Sequence, residues 1–241
     1  MIPGQPVQRP ALDATKVRAQ RAIKVCPLFE GASRITREAA SNGADVEIIV
    51  GGGTIAEQGT AALALIIIGR GRARLERSTA DGRSVSLGYR GSGDILGESC
   101  LSQTPTHAET ATAMEETEII KIPHTLVDDF MREDPGMAPA VFALLLQRTR
   151  EAEDRIESLL FRNVEGRVVE FILKAADRWG VPSPKGTLIS APITHLEIAH
   201  AIGSTRETVT LTLGALRKEG LLDVAGRRLI VKNRELLLQK T

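Results

Sequence analysis

Residues 193–220 hold the densest chemistry in the chain. Thr194-His195-Leu196-Glu197 reads as a capping box, in which a threonine caps a helix whose third residue is a glutamate reaching back. The helix it opens carries Leu196, Ile198, Ala199 and Ile202 and stops at Gly203. Ser204-Thr205-Arg206-Glu207 reads as a second capping box. Its helix turns Val209, Leu213 and Leu216 inward and ends at Lys218-Glu219-Gly220. Two short capped helices separated by a glycine turn make a helix-turn-helix. Residues 221–231, with Arg227 and Arg228 after Gly226, read as a hairpin wing.

The second helix suits a nucleic-acid groove. Its first turn offers free backbone N–H groups to a phosphate, helped by the Ser204 and Thr205 hydroxyls. Arg206, Glu207 and Thr210 lie off the apolar face, with Leu211 beside them. Arginine can donate two bonds to guanine O6 and N7, and glutamate can accept from cytosine N4. A carboxylate beside phosphates is unfavourable unless it reads a base. The plainer alternative is an exposed ion pair, with Glu207 serving only as a cap. Arg227 and Arg228 are expected to meet phosphates.

Other chemistries find little support. His195 and His200 are five apart, not the HExxH spacing, and His107 and His124 stand alone, so no metal set is expected. Cys26 and Cys100 are far apart with no CxxC, which argues against a disulfide framework or a cysteine-bound metal and fits a reducing cytosol. Cys100 reads as a buried thiol, because no basic neighbour is evident to lower its pKa. No nucleophile–base pair and no phosphate-cradling loop stand out, so no enzyme is expected. Aromatic residues are 3%, too few for a stacking platform on single strands. The longest apolar run, residues 61–68, is eight residues, whereas a spanning helix needs about 20. The first six residues lack a basic-then-apolar leader. A cytoplasmic protein with no membrane partner is the expectation.

A length of 241 residues suggests one large domain or two modest ones. Residues 162–241 carry 13 Lys+Arg and 8 Asp+Glu, whereas the remainder carries 18 and 22. A basic C-terminal third on a mildly acidic body points towards nucleic acid. Residues 1–20, with three prolines, read as a loose arm running into a short helix. Residues 45–50, 63–68, 72–76, 84–89, 108–114 and 117–122 are short β-prone runs punctuated by glycine turns. Asp81-Gly82 between two of them signals a hairpin. Such a series predicts a sandwich or jelly-roll barrel. Beyond Pro123 the period changes. Phe142, Leu145, Thr149, Ala152, Ile156 and Leu159 recur at alternating spacings of three and four, a coiled-coil seam. One reading packs that helix on its own barrel. The preferred one pairs it with a second copy, because roughly 25 residues at 1.5 Å each outrun a small barrel. Residues 166–179 predict a further helix, and residues 180–186 a turn-rich loop.

In this order, a glycine-punctuated barrel, a long helix and a winged helix-turn-helix resemble the Crp/Fnr superfamily of bacterial transcription regulators. The resemblance covers about residues 25–233. It rests on Val25-Cys26-Pro27-Leu28-Phe29, Gly93-Asp94-Ile95-Leu96-Gly97-Glu98 and Leu160-Phe161-Arg162-Asn163-Val164-Glu165-Gly166-Arg167. The most specific stretches are Glu197-Ile198-Ala199 and Gly203-Ser204-Thr205-Arg206-Glu207-Thr208-Val209. The cyclic AMP receptor branch implies an effector pocket here of Gly97, Glu98, Ser99, His107, Ala152 and Glu153. In that branch the glutamate matching Glu98 meets the ribose, and an arginine–serine pair holds the cyclic phosphate. Here the matching stretch is Thr106-His107-Ala108-Glu109, with no arginine from Gly91 to Met131. The adenine-contacting Thr-Ser pair is replaced by Ala152 and Glu153. A histidine is a weaker anion partner than a bidentate guanidinium, so cyclic AMP is expected to bind weakly or not at all. The iron–sulfur branch needs an N-terminal cysteine cluster and the carbon monoxide branch a Cys-x-His haem ligand pattern, and neither is present.

The expected fold class is thus α+β. A cyclic-nucleotide-binding-type β jelly roll spans residues 21–135, a dimerisation helix 136–161 and a winged helix-turn-helix 162–241. The expected partners are double-stranded DNA, a second copy of the chain and RNA polymerase. The alternative is a small-ligand sensor acting through protein contacts.

Overall fold

The run that is apolar at every position, residues 63–68, becomes a strand covered on both faces. In β3 (Ala64–Arg70), Leu65 and Ile67 pack into one core cluster. Its alternate residues Ile66 and Ile68 pack into another. β8 (Thr117–Pro123) repeats the pattern, sending Ile120 and Ile122 one way and Ile119 the other. Alternation of side chains along a strand lets one strand serve two cores.

The structure is a computed structural model that describes residues 12–241 except Arg83, Ala191 and Arg227. The expected N-terminal arm lies outside the described residues up to residue 11, and α1 (Leu12–Val25) is helical. The chain divides into two compact units, Met1–Arg148 and Thr149–Thr241.

The first unit is a jelly roll of two antiparallel four-stranded sheets. One has the order β1 (Asp45–Ile49), β8, β3, β6 (Ile95–Leu96). The other has the order β2 (Thr54–Ala56), β7 (Thr110–Ala113), β4 (Ala73–Ser78), β5 (Ser84–Arg90). One core, with Ile49, Leu75 and Ile119, includes residues of both sheets. The other gathers residues of α1, α2 (Arg34–Gly43) and α3 (His124–Glu133) with the first sheet. Arg18 and Arg21 of α1 pair with the buried Glu118 at 2.6 and 3.0 Å, tying that helix to β8. After α3 comes α4, a single 25-residue helix (Met137–Phe161).

The second unit is a winged helix-turn-helix. Its helices are α5 (Val164–Trp179), α6 (His195–Ile202), α7 (Arg206–Lys218) and α8 (Arg234–Leu238). Val168, Ile172, Ile198, Val209, Leu213, Leu216 and Leu229 share one core. Its sheet has the order β11 (Leu222–Ala225), β12 (Arg228–Val231), β10 (Gly186–Ile189), β9 (Gly180–Ser183). The stretch expected to be a turn-rich loop is therefore a hairpin: residues 180–183 pair with residues 186–189. Pro182 signalled a loop, but β9 is the edge strand, where a missing N–H need not break a ladder.

Candidate nucleic-acid interface and effector pocket

α6 begins as its sequence requires. Thr194 Oγ1 accepts from Glu197 N at 3.2 Å, and Glu197 Oε2 accepts from Thr194 N at 2.6 Å, closing the capping box. The helix stops at Gly203, whose φ of 65° is the left-handed conformation that glycine tolerates. The next helix starts one residue later than expected. Thr205, not Ser204, is its cap, with Thr205 Oγ1 accepting from Thr208 N at 3.2 Å. Glu207 is then the second helical residue and does not close a box. Thr208 stands where the glutamate of a capping box would be, which leaves the Glu207 carboxylate free of a capping duty.

Val209, Leu213 and Leu216 fix the orientation of α7 by burial. Arg206, Glu207, Thr210 and Leu211 are all exposed, and Leu211 is 76% exposed although apolar. Ser204 is half-buried and Thr205 exposed at the same end of the helix. Arg228 is exposed at the start of β12, whereas Arg227 lies outside the described residues. A groove of about 200 Å³ between the start of α6 and the wing is lined by Thr194, His195, Val224, Gly226 and Arg228, among others. His195, dismissed as a metal ligand, takes a different part: its Nδ1 lies 2.8 Å from Thr210 Oγ1. No local signal announces that contact, because the two residues are 15 apart and on different helices.

In the first unit the stretch expected to form the effector pocket begins at Gly97, which adopts φ 73° and caps the short 3-10 turn Glu98–Leu101. A Cβ on Gly97 would lie 2.8 Å from Ala64 O and 3.3 Å from His107 Cε1, so the backbone there is pressed against both. The structure thus brings Gly97 and His107 together, with Glu98 and Ser99 following, each half-buried. Ala152 and Glu153 belong to the second unit and are exposed. Burial pushes the His107 pKa down; Glu109 opposes this and Lys121 adds to it.

Glu98 has a partner that sequence reasoning missed. Arg148 Nε donates to Glu98 Oε1 at 3.1 Å, and Arg148 Nη2 donates to Ile95 O at 3.2 Å. Arg148, Arg155 and Arg162 recur every seven residues, a stripe beside the apolar seam. All three arginines bond within their own unit. Arg155 Nη2 donates to Ala201 O at 2.8 Å, and Arg162 Nε lies 3.3 Å from Glu170 Oε2. The seam residues Phe142, Leu145, Thr149, Ala152, Ile156 and Leu159 are exposed in the single chain.

Cys26 and Cys100 are both buried and free. Burial pushes each thiol up to about 11, with Asp128 and Glu98 adding to the effect at Cys100. Among the described residues no cluster of three or more His, Cys, Asp or Glu could hold a metal ion, and no helix is long and apolar enough to cross a membrane.

Comparison with known proteins agrees with this architecture. A family model described as a cyclic nucleotide-binding domain matches residues 49–134, and one described as a Crp-like helix-turn-helix domain matches residues 166–240. The cyclic AMP receptor protein of Thermus thermophilus is 30% identical over 215 residues, covering 89% of this chain and 96% of that one. The global nitrogen regulator of Synechococcus elongatus is 30% identical over 191 residues, covering 78% and 86%. The solved structure of FixK2 from Bradyrhizobium japonicum superposes with a TM-score of 0.73 at 23% identity, covering 82% of this chain and 96% of that one, a likeness of fold. With a jelly roll of cyclic-nucleotide-binding type ahead of a winged helix-turn-helix, and relatives matched over nearly their whole length, the chain belongs to the Crp/Fnr family of DNA-binding transcription regulators.

Proposed function

We propose that this regulator is a homodimer that reads a palindromic DNA site through Arg206, Glu207, Thr210 and Leu211, carries out no catalytic step, and acts with RNA polymerase in the cytoplasm. The observation that carries the reading is the face of α7. Four side chains able to meet base edges are exposed there, opposite buried Val209, Leu213 and Leu216. Arg206 and Glu207 read one G·C pair per half-site, by donation to guanine O6 and N7 and acceptance from cytosine N4. Leu211 cannot donate to guanine and instead packs against a thymine methyl. Ser204, Thr205, Arg228 and Arg227 serve phosphates, which set register and affinity without reading sequence. Two-fold symmetry makes the site palindromic, with half-sites about one helical turn apart.

Binding-site selection on random duplexes, at fixed salt, tests this. The expected result is a palindrome with one strictly required G·C pair per half-site at these positions. Arg206→Ala is expected to cost about 1–3 kcal/mol per half-site and to relax that one pair. Arg228→Ala is expected to weaken all sequences alike and to flatten the salt dependence. Leu211→Arg is expected to gain a guanine preference at the neighbouring pair. Two strictly required G·C pairs in the wild-type selection would overturn the reading face, and selection of no palindrome would overturn the proposal.

A further inference from the structure

His195 opens α6, and its Nδ1 is 2.8 Å from Thr210 Oγ1. The same hydroxyl donates to the Arg206 carbonyl, 2.9 Å away and four residues back in α7. A threonine hydroxyl has one proton and two acceptor positions. Its proton is committed to a carbonyl, which can only accept. The contact with His195 is then a hydrogen bond only if the ring donates, so the ring carries hydrogen on Nδ1. One lone pair of Thr210 remains, on an exposed side chain next to Leu211.

We infer that His195 is a positioning residue: by donating to Thr210 Oγ1 it strengthens that hydroxyl's own bond to the Arg206 carbonyl and so holds Thr210 as a hydrogen-bond acceptor, so that the recognition helix selects a base pair offering both an adenine amino group and a thymine methyl. The inference rests on the DNA-reading assignment proposed above. A hydroxyl free to rotate can meet a donor or an acceptor and discriminates neither. A hydroxyl whose proton is held elsewhere meets donors alone. In the major groove the base donors are adenine N6 and cytosine N4. Leu211, exposed one residue on, separates these two. Beside adenine it finds the partner thymine's methyl. Beside cytosine it faces guanine O6 and N7, which it leaves unpaired. The A·T pair satisfies Thr210 and Leu211 together, and the pair so selected lies next to the G·C pair of Arg206 and Glu207.

The test is competition among duplexes that differ only at this pair, at one salt concentration, with wild type, Thr210→Val, His195→Phe and His195→Asn. Wild type is expected to favour A·T over the other three pairs by roughly fivefold, the worth of one net hydrogen bond. Thr210→Val keeps the shape and loses the hydroxyl, and is expected to lose the preference over T·A and G·C, which offer no donor there, while Leu211 keeps the preference over C·G. His195→Phe keeps a ring and loses the donor, and is expected to show the same loss. His195→Asn is the rescue: its amide nitrogen can stand where Nδ1 stands and donate, so the preference is expected to survive. Selection of the neighbouring G·C pair is expected to persist in wild type and in both His195 variants, which separates a lost preference from a lost fold. Retention of the A·T preference over T·A and G·C in His195→Phe, its loss in His195→Asn, or its absence in a wild type that still selects the neighbouring G·C pair would each overturn the inference. A wild type that selects neither pair would overturn the DNA-reading assignment along with it.

Discussion

A carboxylate already paired within its own chain is a poorer host for a sugar hydroxyl than a free one. Glu98 is such a carboxylate, held by Arg148 at 3.1 Å. Burial pushes the His107 pKa down, which disfavours the charged form that would attract a cyclic phosphate. These two residues sharpen what the sequence alone suggested. The missing arginine was legible in residues 91–131, but the pairing of Glu98 was not, because its partner is 50 residues away on a helix read only for its seam. Titration calorimetry is expected to detect no low-micromolar binding of cyclic AMP. Low-micromolar affinity that disappears in Glu98→Ala would contradict this. The cysteines make a second case at this scale. The sequence offered no basic neighbour for Cys100, and the structure adds burial and two nearby carboxylates, so the thiol sits at about 11. At pH 7.5 both thiols lie far on the protonated side, and the thiolate is the reactive form. Alkylation by iodoacetamide is expected to be slow in the folded protein and fast in urea. Fast labelling of Cys100 without denaturant would show instead an accessible, reactive thiol.

At the scale of elements, what the sequence made legible was what burial writes into it. The longer strands announced themselves as apolar or alternating runs. The short strands β2 and β6 did not, since three and two residues are too few to carry a period. The edge strand β9 was concealed by its proline. The first residue of α7 was misplaced by one, because Ser204 and Thr205 are equally good caps by type and only geometry chooses between them. Contacts that join elements distant in sequence had no local signature at all. Asp134, in the turn between α3 and α4, is an example. Its Oδ2 accepts from Thr36 Oγ1 at 2.5 Å and from Ser33 N at 2.7 Å, and its Oδ1 from Gly136 N at 3.1 Å. The Thr36 hydroxyl bond, then the Ser33 backbone bond, hold the carboxyl at about 2, below its ordinary 3.8. A depressed folded-state pKa means stability that is present above the unfolded value and lost as acid protonates the folded form. Asp134 is therefore expected to stabilise the first unit above about pH 4, with the contribution fading towards pH 2. Urea unfolding followed across this range should be less stable in Asp134→Asn at neutral pH, with the gap to wild type narrowing in acid. A gap that widens as pH falls would show that the carboxylate is not what ties α2 to this turn.

At the scale of the whole molecule, the question is what covers the exposed side of α4. Phe142 is 65% exposed, Leu145 54% and Ile156 58%, on a helix whose arginines at 148 and 155 are already bonded within the chain. A surface helix normally turns its apolar stripe to its own core and its charges to water. Here two arginines, Arg148 and Arg155, are half-buried while Phe142, Leu145, Ile156 and Leu159 of the stripe are exposed. That inversion favours a second copy as the cover, and a two-fold axis would set each seam against its mate. Burying a large apolar side chain is worth about 1.5–3 kcal/mol, and in a dimer the seam's large residues would count twice against the cost of association. Thr149 and Ala152 make its middle thin. The ends are therefore expected to hold the dimer, and the middle to be the part that can shift. Ile156→Asp places a charge on each chain in the lower part of the seam, opposing its like across the axis. It is expected to give monomers at micromolar concentration and to abolish operator binding, because one recognition helix alone meets only one half-site. Ile156→Val, which keeps an apolar side chain, is expected to remain dimeric and to bind DNA. Sedimentation equilibrium separates the outcomes. A dimeric Ile156→Asp protein would show that the chains join elsewhere. A monomeric one that still bound the full palindrome with wild-type affinity would show that the two recognition helices do not act as a pair.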